Sequence, residues 1–416
     1  MDTKAEILDL CRKAKVASRT LATLSTAEKD ACLLAMADAL EKNTGVIKAA
    51  NAKDIASGKV AGLSTAILDR LALDDKRIAA MAKGLREVAA LPDPVGQTLN
   101  EMVRPNGLKI RKVSVPIGVI AIIYESRPNV TADSAALCFK TGNATILRGG
   151  KEAIHSNLAI ADVMLRASKA LPADAIQVVA TTDREAVKIL AQAEGLVDLL
   201  IPRGGEGLVR AVAEVARVPV IKHYKGVCHV FVDEAADLEM AEKIVVNAKC
   251  QRPATCNAME TLLVHEKIAP KILPRLAKAL ADKNVELRGD EISRELVPSM
   301  KPATEDDWYA EYLDLILAVR VVRDVDAAIE HITKYGSAHS DAIVTKDKTT
   351  AEKFLRNVDS AAVYWNASTR FTDGGEFGMG AEIGISTDKI GARGPMGLEE
   401  LTAYKYVVIG EGQVRQ

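Results

Sequence analysis

The hydrophobic pattern divides the chain into a helical N-terminal part and a longer part of alternating strands and helices. Residues 3–91 repeat apolar side chains at helical spacing, in segments rich in Ala, Leu, Lys and Glu, so we expect several helices there. The breaker LPDPVGQ follows, and then two short alternating runs flank an Asn-Gly pair within 101–116. Asn-Gly predicts a β-hairpin because both residues tolerate positive φ. This hairpin is either a simple surface feature or an element that joins the sheet of a neighbouring subunit.

From residue 117 onward, short apolar runs alternate with amphipathic segments. GVIAIIYE (118–125) is continuously apolar, as expected of a strand buried on both faces. VTADSAALCFKTGN follows as a predicted helix ending at Gly142, and ATILRGG (144–150) as the next strand. A second block of the same texture begins near residue 229 with HVFVDEAADLEMAEKIVVNAK. Such alternation predicts parallel sheets, and therefore an α/β fold with two units of this class.

Composition narrows the class of protein. The chain has 416 residues, of which 48% are hydrophobic and 27% charged, and this suits a folded protein of two or three domains. The net charge of −1 gives no reason to expect a nucleic-acid or membrane partner. No apolar run approaches the roughly 20 residues that cross a bilayer. The start, MDTKAEILDLCRKAK, resembles an amphipathic helix and not a signal peptide, so we expect a cytoplasmic protein.

The six cysteines are spread over the whole chain. Disulfide-stapled proteins are short and dense in cysteine, so we expect reduced thiols here. The chain also has no C-x-x-C and no H-E-x-x-H, and its six histidines are scattered. We therefore expect no metal site.

Two predicted strands end in glycine pairs, Gly149-Gly150 and Gly204-Gly205. Small residues at the end of a strand let a ligand approach the backbone, and the helix that follows offers free N–H groups to an anion. Neither pair is the G-x-G-x-x-G fingerprint, and tight-turn geometry would explain each one alone. Together they favour a phosphorylated cofactor, because basic side chains flank them: Arg148, Lys151 and Arg203.

The stretch CQRPATCNAMETLLV (250–264) places Cys256 on a loop between a predicted helix (238–249) and a predicted buried strand (259–264). Arg252-Pro253 precedes it. A thiol on a loop beside cationic groups is favoured as a nucleophilic thiolate. The alternative is that Cys256 packs as a small buried hydrophobe. Cys250 ends the helix and is expected to pack.

Several of these stretches resemble the γ-glutamyl phosphate reductases, a family within the aldehyde dehydrogenase superfamily. The resemblance covers essentially the full length and is weakest in the N-terminal helical part. The most specific segments are PIGVIAIIYESRPNVTADSAALCFKTGNATILRGGKEA (116–153), LIPRGGEGL, CQRPATCNAMETLLVH, YGSAHSDAIVT (335–345) and FGMGAEIGISTDKIGARGPMGLEELTAYKY (377–406). The resemblance implies an aldehyde dehydrogenase-like fold: two Rossmann-like α/β domains plus a β-hairpin oligomerisation element.

The same resemblance implies a domain organisation and an assembly. The NADP-binding domain would comprise residues 1–100 and 115–228, with 366–395 returning near it. The catalytic domain would comprise residues 229–365, and oligomerisation strands would lie at 101–114 and 400–416. As in relatives, a strand near 400–410 would pair with the hairpin across a dimer, so we expect a homodimer or homotetramer.

The implied reaction is the NADPH-dependent reduction of L-glutamyl 5-phosphate to the semialdehyde, in proline biosynthesis. The cysteine of the family motif R-P-x-T-C-N is the nucleophile, which carries over to Cys256 and would form a thioester that hydride then reduces. The backbone N–H of Cys256 and the Asn129 amide are candidates to receive the oxyanion. Ungapped alignment with the wider superfamily puts Arg127 at the position of this amide. Either the loop shifts, or Arg127 replaces the amide and faces the anionic substrate.

This chain differs from other aldehyde dehydrogenases at the position of the catalytic base and at the positions that select the coenzyme. Hydrolytic members activate water with a Glu where this chain has His223, and the loss fits reduction. NAD-preferring relatives place an acid where Lys151 stands, so Arg148 and Lys151 suit the 2′-phosphate of NADPH. Glu311 resembles the Glu that holds the nicotinamide ribose, and is otherwise a plain solvated acid. The remaining implied cofactor contacts are Gly149, Gly150, Arg203, Gly204, Gly205 and Glu206.

The implied substrate is small and strongly anionic, so it requires cations and hydrogen-bond donors. Any of the candidates can instead form a structural ion pair or hydrogen bond: Arg127, Lys225, Arg252, Asn257, His339 and Arg370. Glutamate 5-kinase, which makes the labile acyl phosphate, is the candidate protein partner. The rival interpretations are another oxidoreductase of the aldehyde dehydrogenase superfamily and a catalytically silent scaffold.

Overall fold

The computed structural model describes residues 3–415, which form two compact units. Unit 1 runs up to Lys222 and also contains Gly378–Gly384 and the C-terminal stretch from Met396. Unit 2 contains His223–Phe377 and Ile385–Pro395. Residues 1, 2 and 416, which belong to the predicted first domain and last strand, lie outside the described residues.

Unit 1 begins with the helices that the periodicity predicts. Their apolar faces are buried, and α2 starts with a capping box in which the Ser25 hydroxyl and the Glu28 carboxylate each accept from the other residue's N–H. The helices are α1 (Thr3–Leu21), α2 (Thr26–Lys42), α3 (Thr44–Val60), α4 (Thr65–Leu71) and α5 (Asp75–Ala90).

The predicted hairpin follows, and it is confirmed. Strands β1 (Thr98–Val103) and β2 (Lys109–Pro116) pair antiparallel, and Gly107 adopts φ +86° in the connecting turn. The hairpin forms where the Asn-Gly pair predicts it, although only Gly107 of the pair adopts a positive φ.

The α/β part of unit 1 is built on a four-stranded parallel sheet in the order β5-β4-β3-β6. Its elements are β3 (Val119–Tyr124), α6 (Asn129–Lys140), β4 (Ala144–Arg148), α7 (Ile154–Leu165), β5 (Ile176–Val178), α8 (Glu185–Ala191), β6 (Leu199–Arg203) and α9 (Glu206–Val215). All six residues of β3 are buried, as its unbroken apolar run predicts. Because the strands are parallel, the carboxyl ends of β3, β4 and β6 lie along one edge.

Unit 2 contains a seven-stranded parallel sheet in the order β10-β9-β11-β8-β7-β12-β13. Its main core is formed by α10, α11 and the strands beneath them, and Cys250 packs against this core as predicted. The elements are β7 (Cys228–Val232), α10 (Leu238–Cys250), β8 (Met259–His265), α11 (Ala269–Ala281), β9 (Glu286–Gly289), α12 (Glu291–Leu296), β10 (Lys301–Pro302), α13 (Glu305–Trp308), β11 (Ile316–Val322), α14 (Val325–Tyr335), β12 (Ser340–Val344), α15 (Lys348–Asn357), β13 (Ala362–Trp365), β14 (Ile385–Ser386) and β15 (Gly394–Pro395).

The last strand, β16 (Thr402–Ile409), returns to unit 1 and pairs antiparallel with β2 of the same chain. The predicted pairing of this strand with the hairpin of another subunit is therefore wrong. The reason is that β1 pairs with one edge of β2, and β16 of the same chain pairs with the opposite edge, from Pro116 to Lys109. Within residues 3–415, no helix is both long enough and apolar enough to cross a bilayer.

Candidate active site

Cys256 lies in unit 2 on the loop between α10 and β8, and its side chain is half-buried. The loop is fixed by side chains that bond to its backbone. The Thr255 hydroxyl donates to the carbonyl of Arg252 at 2.8 Å, and the Thr369 hydroxyl donates to the carbonyl of Asn257 at 2.8 Å. A thiol that is reachable and yet held by a rigid turn is suited to nucleophilic attack.

Asn257 is buried, and the hydrogen bonds of its side chain stabilise this turn. Its amide nitrogen donates to the carbonyl of Thr372 at 2.8 Å, and its amide oxygen accepts from the Thr255 hydroxyl at 3.0 Å and from Arg370. The amide is therefore engaged on both sides by the protein. Its predicted contact with substrate remains a prediction.

Two guanidinium groups lie beside the nucleophile loop. Arg252 is exposed on the loop itself, and Arg370 is half-buried, with its Nε donating to Gln251 at 2.8 Å. Burial and then the charge of Arg252 lower the pKa of Arg370, while the nearby Cys256 opposes that shift. The structure thus brings together three of the residues that the sequence singles out, and they form a cationic rim around a thiol.

The segment that follows His223 lies directly against Cys256. A Cβ placed on Gly226 would come within 1.8 Å of the carbonyl oxygen of Cys256, so only glycine fits there. The Gly226 N–H donates to Glu311 at 2.8 Å, and the Lys225 ammonium donates to the carbonyl of Tyr309 at 2.7 Å. Glu311 is thus linked to the nucleophile loop through Gly226, and Lys225 precedes this glycine in the chain. Their predicted contacts with coenzyme and substrate stay predictions.

Behind the loop, a chain of buried polar groups includes Cys228 and His339. Burial raises the pKa of Cys228, so the thiol stays protonated and donates to the carbonyl of Cys256 at 3.2 Å. His339 is fully buried, and its Nδ1 lies 2.9 Å from the Ser340 hydroxyl. Burial, helped by His223, lowers the pKa of His339 to about 3, so its ring is neutral. His339 is below the surface, and its role as a substrate ligand remains a prediction.

In unit 1, both predicted glycine pairs lie at the carboxyl edge of the parallel sheet. A Cβ on Gly149 would lie 2.0 Å from the amide of Asn157, and a Cβ on Gly204 would lie 2.4 Å from the carboxylate of Glu125. Gly205 precedes α9 and leaves its N–H at the start of that helix. These turns are therefore as close-packed as a backbone cradle for phosphate requires.

Two carboxylates that the sequence did not single out lie at this edge. Glu125 accepts from the Gly205 N–H at 3.0 Å, and Glu152 accepts from the Ser126 N–H and hydroxyl, both at 2.7 Å. Ser126 adopts φ +36°, a conformation that is rare for a residue with a side chain. The position of Glu125 directly after the buried strand β3 could have indicated a carboxylate at this edge. Nothing in the sequence predicts the positive φ of Ser126.

The predicted cofactor cations occupy distinct surroundings. Arg148 donates to the carbonyls of Gly149 and Thr182, at 3.1 and 3.2 Å, while its buried Nε has no hydrogen-bond partner in the described part of the chain. Lys151 is exposed in the turn before α7. Arg203 packs on the backbone of Gly384, where a Cβ would lie 1.9 Å from its Nη1. Glu206 accepts from Arg210 at 2.7 Å.

The side-chain candidates for receiving the oxyanion lie at the start of α6 and just before it. Arg127 and Asn129 are both exposed, and the amide nitrogen of Asn129 donates to Asp133 at 2.9 Å. Burial raises the pKa of Asp133 to about 6, against the opposing effect of Asn129 and Arg203. Asp133 thus orients Asn129, and the oxyanion role of Arg127 or Asn129 stays a prediction.

Comparison with known proteins locates the chain among its relatives. The model of the aldehyde dehydrogenase family matches residues 1–307. The chain is 60% identical over 412 residues to a γ-glutamyl phosphate reductase of Carboxydothermus hydrogenoformans, covering 99% of each chain. It is 59% identical to the γ-glutamyl phosphate reductase of Moorella thermoacetica over the full length of both.

A solved structure agrees with these matches. The crystal structure of γ-glutamyl phosphate reductase from Thermotoga maritima superimposes with a TM-score of 0.97 at 48% identity, covering 99% of this chain and all of the other. The predicted aldehyde dehydrogenase-like α/β fold is thereby confirmed.

Proposed function

Because the chain belongs to the aldehyde dehydrogenase family and, within it, to the γ-glutamyl phosphate reductases, we propose that it reduces L-glutamyl 5-phosphate to L-glutamate 5-semialdehyde and phosphate with NADPH, in proline biosynthesis. The observation that carries this proposal is the half-buried Cys256 on a rigid turn beside Arg252 and Arg370. A nucleophile with two cations next to it suits an acyl phosphate, which carries both an electrophilic carbon and negative charge.

The reaction follows from the groups around the thiol. The Cys256 thiolate attacks the acyl carbon, the carbon–oxygen bond to phosphate breaks, and a thioester remains on the sulfur. The adjacent guanidinium groups stabilise the phosphate as it leaves. NADPH, when bound, supplies the hydride that reduces the thioester carbon. The carbon–sulfur bond then breaks, which releases the aldehyde and returns the thiolate, so that one acyl phosphate, one NADPH and one proton give aldehyde, NADP⁺ and phosphate.

The residues at the carboxyl edge of the unit 1 sheet fit a dinucleotide. The glycine turns admit backbone approach, and the guanidinium of Arg148 together with the exposed Lys151 offers cationic donors for a 2′-phosphate. The Glu125 carboxylate holds the Gly205 N–H, which is the position that a diphosphate oxygen would take. We expect Glu125 to turn away when the nucleotide binds. Glu311 would contact the nicotinamide ribose.

The reverse reaction tests the proposal against an oxidative aldehyde dehydrogenase. With semialdehyde and NADP⁺, NADPH formation should require inorganic phosphate or arsenate, because an oxyanion must take the acyl group from Cys256. Acid formation at the same rate in phosphate-free buffer would favour the hydrolytic rival. A silent scaffold would give no coenzyme turnover in either direction, and Cys256→Ala should reduce the wild-type rate to this background.

The proposal extends to assembly and to a protein partner. We propose a homodimer or homotetramer formed through the exposed three-stranded sheet, in which Leu99, Val103 and Tyr406 are exposed. Glutamate 5-kinase is the proposed supplier of substrate, because an acyl phosphate hydrolyses readily in water.

A further inference from the structure

Lys249 and Glu260 form an ion pair that is wholly removed from water, with Nζ and Oε2 2.6 Å apart and both side chains 0% exposed. Lys249 lies in the last turn of α10 and Glu260 is the second residue of β8. These two elements end and begin on either side of the Cys256 loop. The ion pair therefore closes the base of the loop that carries the nucleophile.

The second oxygen of Glu260 reaches another loop. It accepts from the Leu313 N–H at 3.3 Å, and Leu313 adopts φ +53°, which is unfavourable for a leucine. Two residues earlier in this loop, Glu311 accepts from the Gly226 N–H, and Gly226 lies against the carbonyl of Cys256. A closed circuit of contacts thus runs from Cys256 through the ion pair and the 311–313 loop back to Cys256.

Stability alone does not account for a pair of this kind. Removing two charges from water is costly, and apolar residues of similar volume often serve a protein core as well or better. Burial raises the pKa of the Glu260 carboxyl to about 7, with Lys249 opposing that shift. What an ion pair provides, and an apolar pair does not, is a directional contact that fixes two loops relative to each other.

We propose that Lys249 and Glu260 are positioning residues, which hold the Cys256 loop and the Glu311 loop in the one arrangement that lets a thioester on Cys256 be reduced. The inference rests on the proposed role of Cys256 as the nucleophile. Lys249 and Glu260 are both fully buried, so neither side chain would touch substrate or coenzyme. Their loss should therefore lower kcat and leave substrate and coenzyme binding almost unchanged.

The test replaces the pair without leaving a single buried charge. Lys249→Met/Glu260→Gln keeps the volume and removes both charges, and Lys249→Met/Glu260→Leu is the apolar alternative if the first does not fold. We expect kcat to fall at least 20-fold, with KM for NADPH and for the acyl phosphate within threefold and Tm within a few degrees of the wild type. Alkylation of Cys256 by iodoacetamide should slow at least fivefold, since the thiol is no longer held in place.

A matched control is the buried ion pair of Lys29 with Asp93 in unit 1, whose side chains are 1% and 7% exposed. Lys29→Met/Asp93→Leu should leave kcat and the alkylation rate within twofold of the wild type. The proposal is overturned if the Lys249/Glu260 variants keep wild-type kcat, or if both pairs lower kcat equally. The proposed function fails separately, if wild-type turnover does not depend on Cys256.

Discussion

The sequence predicts that Cys256 lies on a loop beside cationic side chains, and the structure has this arrangement. The sequence offered a thiol after Arg-Pro, and the structure adds Arg370, which comes from more than a hundred residues further along the chain and lies beside the loop. Its Nε and Nη1 are held by Gln251 and Asn257, so the guanidinium is already oriented. An oriented cation can stabilise a leaving phosphate without reorganising first.

Arg370→Gln tests that role. We expect kcat/KM for the acyl phosphate to fall about 30-fold, because a charge-assisted hydrogen bond contributes roughly 2 kcal/mol. KM for NADPH should not change. Arg356→Gln, which removes an exposed arginine on α15, is the matched control and should behave as wild type in the same steady-state assay. Equal losses in the two variants would contradict a specific role for Arg370.

Gly226 provides a second residue-scale prediction. In Gly226→Ala the new Cβ would meet the Cys256 carbonyl at 1.8 Å, so one of the two segments must move. We expect kcat to drop on the order of 100-fold, since displacements of about 1 Å at a nucleophile have that effect. Gly45→Ala is the control, because a Cβ there meets nothing within 4 Å. Wild-type kcat in Gly226→Ala would show that the close approach is not required.

Buried His331 gives a pH dependence with a definite sign. Burial, followed by the charge of His229, lowers the pKa of His331 to about 2, and its Nδ1 accepts from Arg320 at 3.0 Å. The unfolded chain therefore binds a proton below about pH 6.5 that the folded chain does not bind. The free energy of unfolding should fall on acidification, by about 1 kcal/mol per pH unit from this group.

Urea unfolding of the wild type and of His331→Gln, between pH 7 and pH 5, measures this contribution. Gln can still accept from Arg320, so the variant should fold and its stability should depend less steeply on pH. Parallel pH dependences for the two proteins would show that His331 does not titrate on unfolding as described.

At the scale of elements, the sequence predicts the strand β16 correctly but assigns it the wrong pairing partner. The truncated chain without residues 402–416 should have a lower Tm and should aggregate as its concentration rises, because the edge of β2 becomes unpaired. Light scattering and thermal unfolding measure both effects. A control that lacks only residues 410–416, after the strand ends, should match the wild type. Unchanged stability and solubility without β16 would contradict its role in the sheet.

Turn residues and hydrophobic patterns within short segments predict most helices and strands. The pairing of strands that are far apart in the sequence could not be predicted from these patterns. Asn106-Gly107 predicts the hairpin because the turn is formed by a few adjacent residues, Arg104 to Leu108. The apolar run 118–125 predicts a buried strand because the burial of a strand is visible in its own residues. The pairing of β16 with β2 depends on the tertiary fold, which brings together two segments that are far apart in the sequence. The hydrophobic periodicity of each segment carries no information about this pairing. The same applies to the strand order of each sheet.

The candidate site divides in the same way. Cys256 and the glycine pairs were predictable, because the chemistry of the thiol and of the turns lies in adjacent residues. Glu125 and Glu152 were missed, because their partners come from other strand–helix turns. Glu260 left a usable signal, since a charged residue within the apolar run METLLV must find a buried partner.

At the scale of the whole molecule, we assign one task to each unit. Unit 1 presents close-packed glycine turns with Arg148 and Lys151 at the edge of its parallel sheet, which suit a nucleotide. Unit 2 holds the thiol within a circuit of buried contacts. The central claim that joins these tasks is that an acyl group from the substrate rests on Cys256 until it is reduced.

The most direct test is intact-protein and peptide mass spectrometry after acid quenching of enzyme mixed with L-glutamyl 5-phosphate in the absence of NADPH. We expect one glutamyl group, without phosphate, on the peptide that contains Cys256, and we expect it to disappear when NADPH is added before the quench. Cys256→Ala should show no adduct. A wild-type enzyme that turns over with its acyl group on another residue, or with no acyl adduct at all, would contradict the proposed thioester on Cys256.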